Sequence, residues 1–186
     1  MMITDKKTLK EYLEADKANL GIQRRYPPIL GGVVWKFQIS LRMFEYYLNT
    51  TSKKNIGKKF LKLFWYYIYH HYKIKLGFEI PPNTCGKGLN IHHTGCIVIN
   101  ANARIGENCN LQQCVNIGQS YGEENVPIIG NNVYIGPGAK LFGKIEIADD
   151  IAIGAGAIVT KSFLTPGIAI AGNPAHQIGV RREGLK

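Results

Sequence analysis

The sequence predicts a mainly β protein, a parallel β-helix with an α-helical region ahead of it. Three observations carry that prediction. Aliphatic residues recur every six positions: Ile99, Ile105, Leu111 and Ile117, then Ile129, Ile135, Leu141, Ile147, Ile153 and Val159. The two runs share one phase, because 117 and 129 differ by twice six. A second, often smaller apolar residue stands two places before most of them: Ala103, Cys109, Val115, Val133, Ala139, Ile145, Ile151 and Ala157. Glycine often follows the aliphatic, as in Gly106, Gly118, Gly130, Gly136 and Gly154. A period of six is neither helical nor that of a plain strand. It is the period of a coil in which each hexad supplies one short strand and a turn, and three hexads close a triangle. The aliphatic fills the interior and the smaller residue shares it. Glycine is expected there because the turn backbone requires positive φ.

Charge divides the chain. Residues 1–78 hold fifteen Lys or Arg against five Asp or Glu, while residues 79–186 hold eight of each, so the whole net charge of +10 lies in the first part. Two jobs are implied, with a boundary near Gly77. The expected organisation is a basic, aromatic-rich helical region over 1–76, a β-helix over 77–175 and a tail over 176–186. The four cysteines, Cys85, Cys96, Cys109 and Cys114, lack CxxC spacing. No signal peptide is recognised and a reducing cytoplasm fits. Cys109 occupies an interior slot and reads as a small buried hydrophobe. The longest apolar run, Phe60 to Tyr69, contains Lys62 and falls short of the roughly 20 residues a membrane span needs.

In order, Lys6 to Lys17 reads as a helix with Leu9, Tyr12 and Leu13 on one face and a capping box from Thr8 to Glu11. Gly21, Pro27-Pro28 and Gly31-Gly32 break the chain. Phe37 to Leu48 is a second helix. Gly57 to Lys75 is a third, dense in aromatics and lysines. Three readings of this mixture stand open. The aromatics pack on the coil or a sister subunit with lysines solvated, or the helix lies at a membrane interface, or it meets nucleic acid. No nucleic-acid motif accompanies the charge, so no nucleic-acid partner is expected. His70 and His71 diverge by about 100° on a helix and read as surface residues.

Gly77 to Ile80 opens the coil. Ile91 to Ile99 is eight residues, two more than a hexad, and the surplus lies at His92-His93-Thr94-Gly95. Breaks in an otherwise regular pattern tend to mark functional sites. A second interruption, residues 119–126, is polar and reads as a loop extruded from the coil. After Val159 the pattern ends, and Gly172-Asn173-Pro174-Ala175 reads as a turn leaving the coil for a polar, basic tail.

These residues resemble the hexapeptide-repeat acyltransferases, and within them the serine acetyltransferase branch. The matching stretches are Ile91-His92-His93-Thr94-Gly95-Cys96-Ile97-Val98-Ile99-Asn100, Asn116-Ile117-Gly118, Pro127-Ile128-Ile129-Gly130, Tyr134-Ile135-Gly136-Pro137-Gly138-Ala139-Lys140, Ile153-Gly154-Ala155-Gly156-Ala157 and Gly172-Asn173-Pro174-Ala175. The resemblance implies a trimeric left-handed β-helix, acetyl-CoA as donor and active sites in grooves between subunits. It aligns His93 with the family's catalytic histidine. His92 takes the place of an aspartate that faces the acceptor amine. Glu79 is the nearest counterpart of the aspartate that braces the histidine, allowing one deletion around Cys85. An Arg-His pair before the loop's proline is replaced here by Asn125-Val126. With that cation and aspartate both gone, the departures favour a sugar acceptor of surface-polysaccharide biosynthesis, free or lipid-linked, over L-serine. A contact of residues 1–76 with the inner face of the membrane would suit a lipid-linked acceptor.

The chemistry implied is direct O-acetyl transfer. A neutral imidazole at His93 takes the hydroxyl proton as the oxygen attacks the thioester, worth about 10²–10⁴-fold. Glu79 holds the ring's tautomer, as an acid does in a Ser-His-Asp triad, and a backbone N–H receives the oxyanion. His92 and Asn125 are acceptor contacts. Gly118, Gly136, Gly154 and Ala155 are candidates for the pantetheine amides, and Lys161, Arg181 and Arg182 for the CoA phosphates. Cys85, Cys96 and Cys114 lack an obvious base partner, which disfavours an acyl-enzyme. Trimeric left-handed β-helices also host γ-class carbonic anhydrases, whose zinc needs three converging imidazoles. After His93 the only histidine is His176, outside the repeats, so no metal is expected. A non-catalytic binding module is the remaining alternative.

Overall fold

The computed structural model describes residues 2–52, 54–182 and 184. Three helices come first: α1 (Lys6–Asn19), α2 (Val33–Thr50) and α3 (Ile56–Leu76). The predicted Thr8–Glu11 capping box is not what starts α1. Asp5 caps it, its carboxylate accepting the Lys7 and Thr8 amides at 2.8 and 2.9 Å. An acidic side chain one turn earlier satisfies the first free amides of the helix and adds charge to its N-terminus.

Short strands then wind into three sheets. One holds β1 (Phe78–Glu79), β3 (Ile97–Ile99), β6 (Asn116–Gly118), β9 (Lys140–Phe142) and β12 (Ile158–Val159). The second holds β4 (Arg104–Ile105), β7 (Ile128–Ile129) and β10 (Glu146–Ile147). The third holds β2 (Asn90–Ile91), β5 (Asn110–Leu111), β8 (Tyr134–Ile135), β11 (Ala152–Ile153), β13 (Ile168–Gly172) and β14 (Ala175–Val180). Successive hexads visit the three sheets in rotation, and every pairing between coils is parallel. All ten hexad aliphatics and their smaller companions are buried in one continuous core. Ile117 and Ile129 stay in phase because the extruded loop adds one hexad's length between β6 and β7.

The glycines after the aliphatics serve a different need from the one expected. Gly106 and Gly136 do not have positive φ. A Cβ on Gly106 would stand 2.6 Å from the Gly130 carbonyl oxygen, and one on Gly136 would stand 2.7 Å from the Ala155 nitrogen. The corners of adjacent coils press backbone on backbone, so a side chain has no room. Positive φ falls instead on neighbouring residues such as Asn108, Asn132 and Asp150.

The expected tail over 176–186 needs correction. After Asn173-Pro174, residues 175–180 form β14, which returns antiparallel along β13. The last coil otherwise presents an open strand edge, and the hairpin covers it. Residues 183, 185 and 186 of that stretch lie outside the described residues.

The helices close the other end of the coil. Phe37 of α2 meets Phe78 edge-on at 5.1 Å, Phe44 stacks on Tyr69 of α3 at 5.4 Å, and the Tyr69 hydroxyl donates to the Ile80 carbonyl. Burial raises the Tyr69 hydroxyl well above its ordinary pKa. At the centre lies a fully buried arginine. Arg42 donates to Asp16 at 2.8 Å, to Glu45 at 3.0 Å and to the carbonyls of Cys85 and Gly86 at 2.9 and 2.6 Å. Asp16 accepts the Leu89 amide and Glu45 the Asn83 amide. Burial opposes the Arg42 charge, but Asp16 and Glu45 outweigh it and hold the guanidinium above its ordinary range. Burial pushes the Glu45 carboxyl up, against the pull of Arg42. One network thereby bolts α1 and α2 to the first coil.

Candidate active site

The prism has three edges, and they sort the candidate residues. The edge between the third and first sheets carries the turns 92–96, 112–115, 136–139 and 154–157, one per coil. Backbone bonds stitch these turns together, Gly138 to Gln113 at 2.9 Å and Gly156 to Pro137 at 2.8 Å. His92, His93, Gly136, Gly154 and Ala155 all stand on it. From the histidine level to the Gly154 level is three coil steps, about 14 Å at ordinary strand spacing.

His93 is exposed, with its ring centroid 6.2 Å from that of His92. The surplus residues at this corner let the turn swing out and dock on the end of α3, where the Gly95 amide donates to the Leu76 carbonyl at 3.3 Å. His92 is held from behind. Its Nε2 lies 3.2 Å from the side-chain nitrogens of both Asn90 and Asn110. The Asn110 oxygen already accepts from Gln112 at 2.8 Å, which turns its NH2 toward His92. The Asn110 amide can then donate to Nε2, and a neutral His92 ring that accepts it carries its proton on Nδ1. A cavity of about 330 Å³ adjoins the ring, lined by Leu20, Val33, Trp35 and Ile91 among others.

Glu79 lies on β1, one strand below Val98 of β3. Its carboxylate is half exposed and sits 3.5 Å from the Lys73 ammonium, and among the described residues it makes no hydrogen bond to His93. Gly118 and Asn125 belong to a different edge, between the first and second sheets, at the base and end of the extruded loop. There Asn125 donates to the Tyr121 carbonyl, and the loop is tied down by Asn100 to Gln119 at 3.0 Å and by Asn102 to the Glu123 carbonyl. The Gly118 position is crowded, since a Cβ would meet the Phe142 ring at 2.7 Å. Lys161 is on that same edge, over the Phe163 ring. Arg181 is on the third edge, donating to the Asn132 carbonyl and 3.9 Å from Asp150. One chain therefore brings His92 and His93 together with the glycines at 136 and 154, and keeps Gly118, Asn125, Lys161 and Arg181 apart from them. Arg182 instead lines a cavity of about 400 Å³ with Gly154 and Tyr134 on the outer face of the third sheet.

Asn90, Asn110 and Gln112 are residues that motif reading passed over. Their only sequence signal is the Asn-aliphatic pair repeated at 90–91 and 110–111. Asn90 and Asn110 also share a cavity with Asn19 at the end of α1, far away in sequence. Of the proposed nucleophiles, Cys85 is buried and its thiol is pushed up to about 11 by burial, a poor starting point for attack. Cys96 and Cys114 are exposed.

No family profile matches the chain. Its relatives and structural neighbours do agree with one another. The chain is 33% identical over 122 residues to the serine acetyltransferase of Synechococcus elongatus, covering 62% of this chain and 50% of that protein. A crystal structure of Neisseria gonorrhoeae serine acetyltransferase in complex with serine superposes with a TM-score of 0.68 and 25% identity, over 94% of this chain and 70% of that one. The Brucella abortus enzyme in complex with coenzyme A superposes at 0.65 with 24% identity, over 95% and 68%. The chain resembles serine acetyltransferases in sequence and in fold. It shares with those proteins a left-handed β-helix behind a helical region. This serine acetyltransferase-like chain spans about half the length of the curated relatives it matches.

Proposed function

We propose that the chain is an acetyl-CoA-dependent O-acetyltransferase, with His93 as general base and L-serine as the leading acceptor. The observation that carries this reading is the alignment of an exposed His93 with Gly136, Gly154 and Ala155 along one edge of the coil. That edge offers an extended thioester arm a track from exposed Ala155 and half-buried Gly154 to an exposed imidazole. In the reaction, His93 takes the hydroxyl proton, the oxygen bonds to the thioester carbonyl carbon, and the C–S bond breaks to release the thiol. Arg182, beside the groove that contains Gly154, is better placed for a donor phosphate than Arg181. Glu79 would brace His93 only by leaving Lys73. The names of the relatives put an amino-acid acceptor first, reversing the order that the missing cation and aspartate suggested.

Because the Asn125 loop and His93 stand on different edges of one chain, a complete acceptor site needs the loop of a neighbouring copy. That requirement supports a homotrimer, working in the cytoplasm. A sugar acceptor is the second reading. It is favoured by His92, whose Nδ1–H offers a neutral donor where the related enzymes place a carboxylate, and by Asn125-Val126, which holds no charge for an amino-acid carboxylate.

The deciding experiment measures thiol release from acetyl-CoA with L-serine, free and UDP-linked hexoses, and lipid-linked sugar extract. Wild type is compared with His93→Ala. Serine turnover lost in the variant supports the leading reading. Turnover on saccharides alone, also lost in the variant, transfers the proposal to the sugar. Undiminished activity in His93→Ala removes the mechanism.

A further inference from the structure

Helix α3 presents its apolar residues in the wrong direction for a helix that serves only to pack. At 100° per residue, Ile56, Phe60, Leu63, Tyr67 and Ile74 fall within an arc of about 60°. All five are exposed, at 64–80%. The opposite side of the helix carries Tyr69 and Leu76, which are buried in the main core, and Trp65 and Tyr72, which pack against it. Packing to the body of the protein therefore leaves a second apolar stripe facing directly away, along a helix about 31 Å long. A stripe of this size on a water-facing surface signals a partner.

Charge says which kind. α3 carries five lysines and no acidic residue; Lys58 turns back over the Tyr46 ring and Lys73 pairs with Glu79, which leaves Lys59, Lys62 and Lys75. By wheel position, Lys59 borders the stripe on one flank and Lys75 on the other. Stripe-to-stripe pairing of two copies would bring these flanking lysines, all of one sign, to the seam. An anionic lipid surface would receive the aliphatic and aromatic side chains in its interfacial layer and the flanking Lys59 and Lys75 among its headgroups. No helix among the described residues is long and apolar enough to cross a membrane. We propose that the outward face of α3 docks the protein, lying flat, on an anionic lipid bilayer. This inference does not rest on the acetyl-transfer reading, and its test reads binding, not turnover.

The test is co-sedimentation of the full chain with vesicles of phosphatidylcholine alone and of phosphatidylcholine mixed with phosphatidylglycerol, at low and high salt. Wild type is expected to pellet with the anionic vesicles, less so at high salt, and to stay in solution with the neutral ones. The triple variant Phe60→Ser, Leu63→Ser, Tyr67→Ser and the charge variant Lys59→Glu, Lys75→Glu should each bind about tenfold or more weakly, with unchanged circular dichroism. Light scattering is run on all three proteins. Wild type that remains in solution with anionic vesicles overturns the proposal, as does a triple variant that binds equally well. A triple variant whose molar mass falls below that of wild type also overturns it, because the stripe then covers another copy of the chain. Should the triple variant misfold, the charge variant decides alone, since both of its lysines are exposed and their replacement leaves the core untouched. Undiminished binding of that variant to anionic vesicles overturns the proposal.

Discussion

At the scale of single residues, His92 stands where the resemblance to serine acetyltransferases implies an aspartate. The two asparagine amides at its Nε2 would serve a carboxylate equally well. His92→Asp should therefore fold normally and place a negative charge beside the acceptor. If the acceptor carries an ammonium group, kcat/KM for L-serine is expected to rise about tenfold, the worth of one charge-assisted hydrogen bond. An unchanged or lower value would separate His92 from the acceptor. The cysteines make a second prediction. Maleimide at neutral pH should label Cys96 and Cys114 in the native protein and leave Cys85 and Cys109 untouched. Burial raises the Cys109 thiol well above its ordinary value and pushes the Cys85 thiol up to about 11. Mass spectrometry after labelling counts the adducts, and four adducts on folded protein would contradict the buried placement. The hexad positions were legible from sequence down to Cys109 itself. The amide cradle of His92 was not, because each asparagine is ordinary alone and acquires its role only when two adjacent coils bring both to one ring.

At the scale of elements, the junction between the helices and the first coil is held by Arg42. Arg42→Ala would leave Asp16 and Glu45 buried without their cation, and the cost expected is about 3–5 kcal/mol. Urea unfolding of wild type and variant measures it, and a loss under about 1 kcal/mol would refute the network's role. The extruded loop behaves oppositely. Tyr121 at its tip is almost wholly exposed, so Tyr121→Ala should leave the unfolding midpoint where it is. A large destabilisation would show that the loop tip is covered in the assembled protein. Helix positions were readable from periodicity to within a few residues. β14 was not, because its six residues alternate no clear apolar pattern and form a strand only to cover the edge of β13.

At the scale of the whole molecule, the proposed acceptor site, with His93 and the Asn125 loop on different edges, would make assembly a condition of activity. Light scattering is expected to give three times the 20.7 kDa chain mass. Dilution to monomers should abolish turnover while leaving the helical and strand signals in circular dichroism. A fully active monomer would mean that the loop takes no part in the acceptor site. The concentration of the whole net charge of +10 in residues 1–78 also belongs to this scale. It reappears in the structure as a basic helical cap on a coil with no net charge.

The sequence alone determined the coil, its triangular section, its interruptions and the identity of the histidine corner. It could do so because each hexad repeats the same local demand, an aliphatic inward and a turn outward, and ten repetitions leave no other solution. Only the tertiary structure decided which candidate residues share an edge, why the repeat glycines are glycines, what buries Arg42 and holds His92, and which side of α3 is left bare. Those outcomes depend on contacts between residues far apart in the chain, such as Asp16 with the Leu89 amide, 73 positions away. A periodic pattern records where a side chain points relative to its own strand or helix. It holds no record of which distant surface will arrive to cover it.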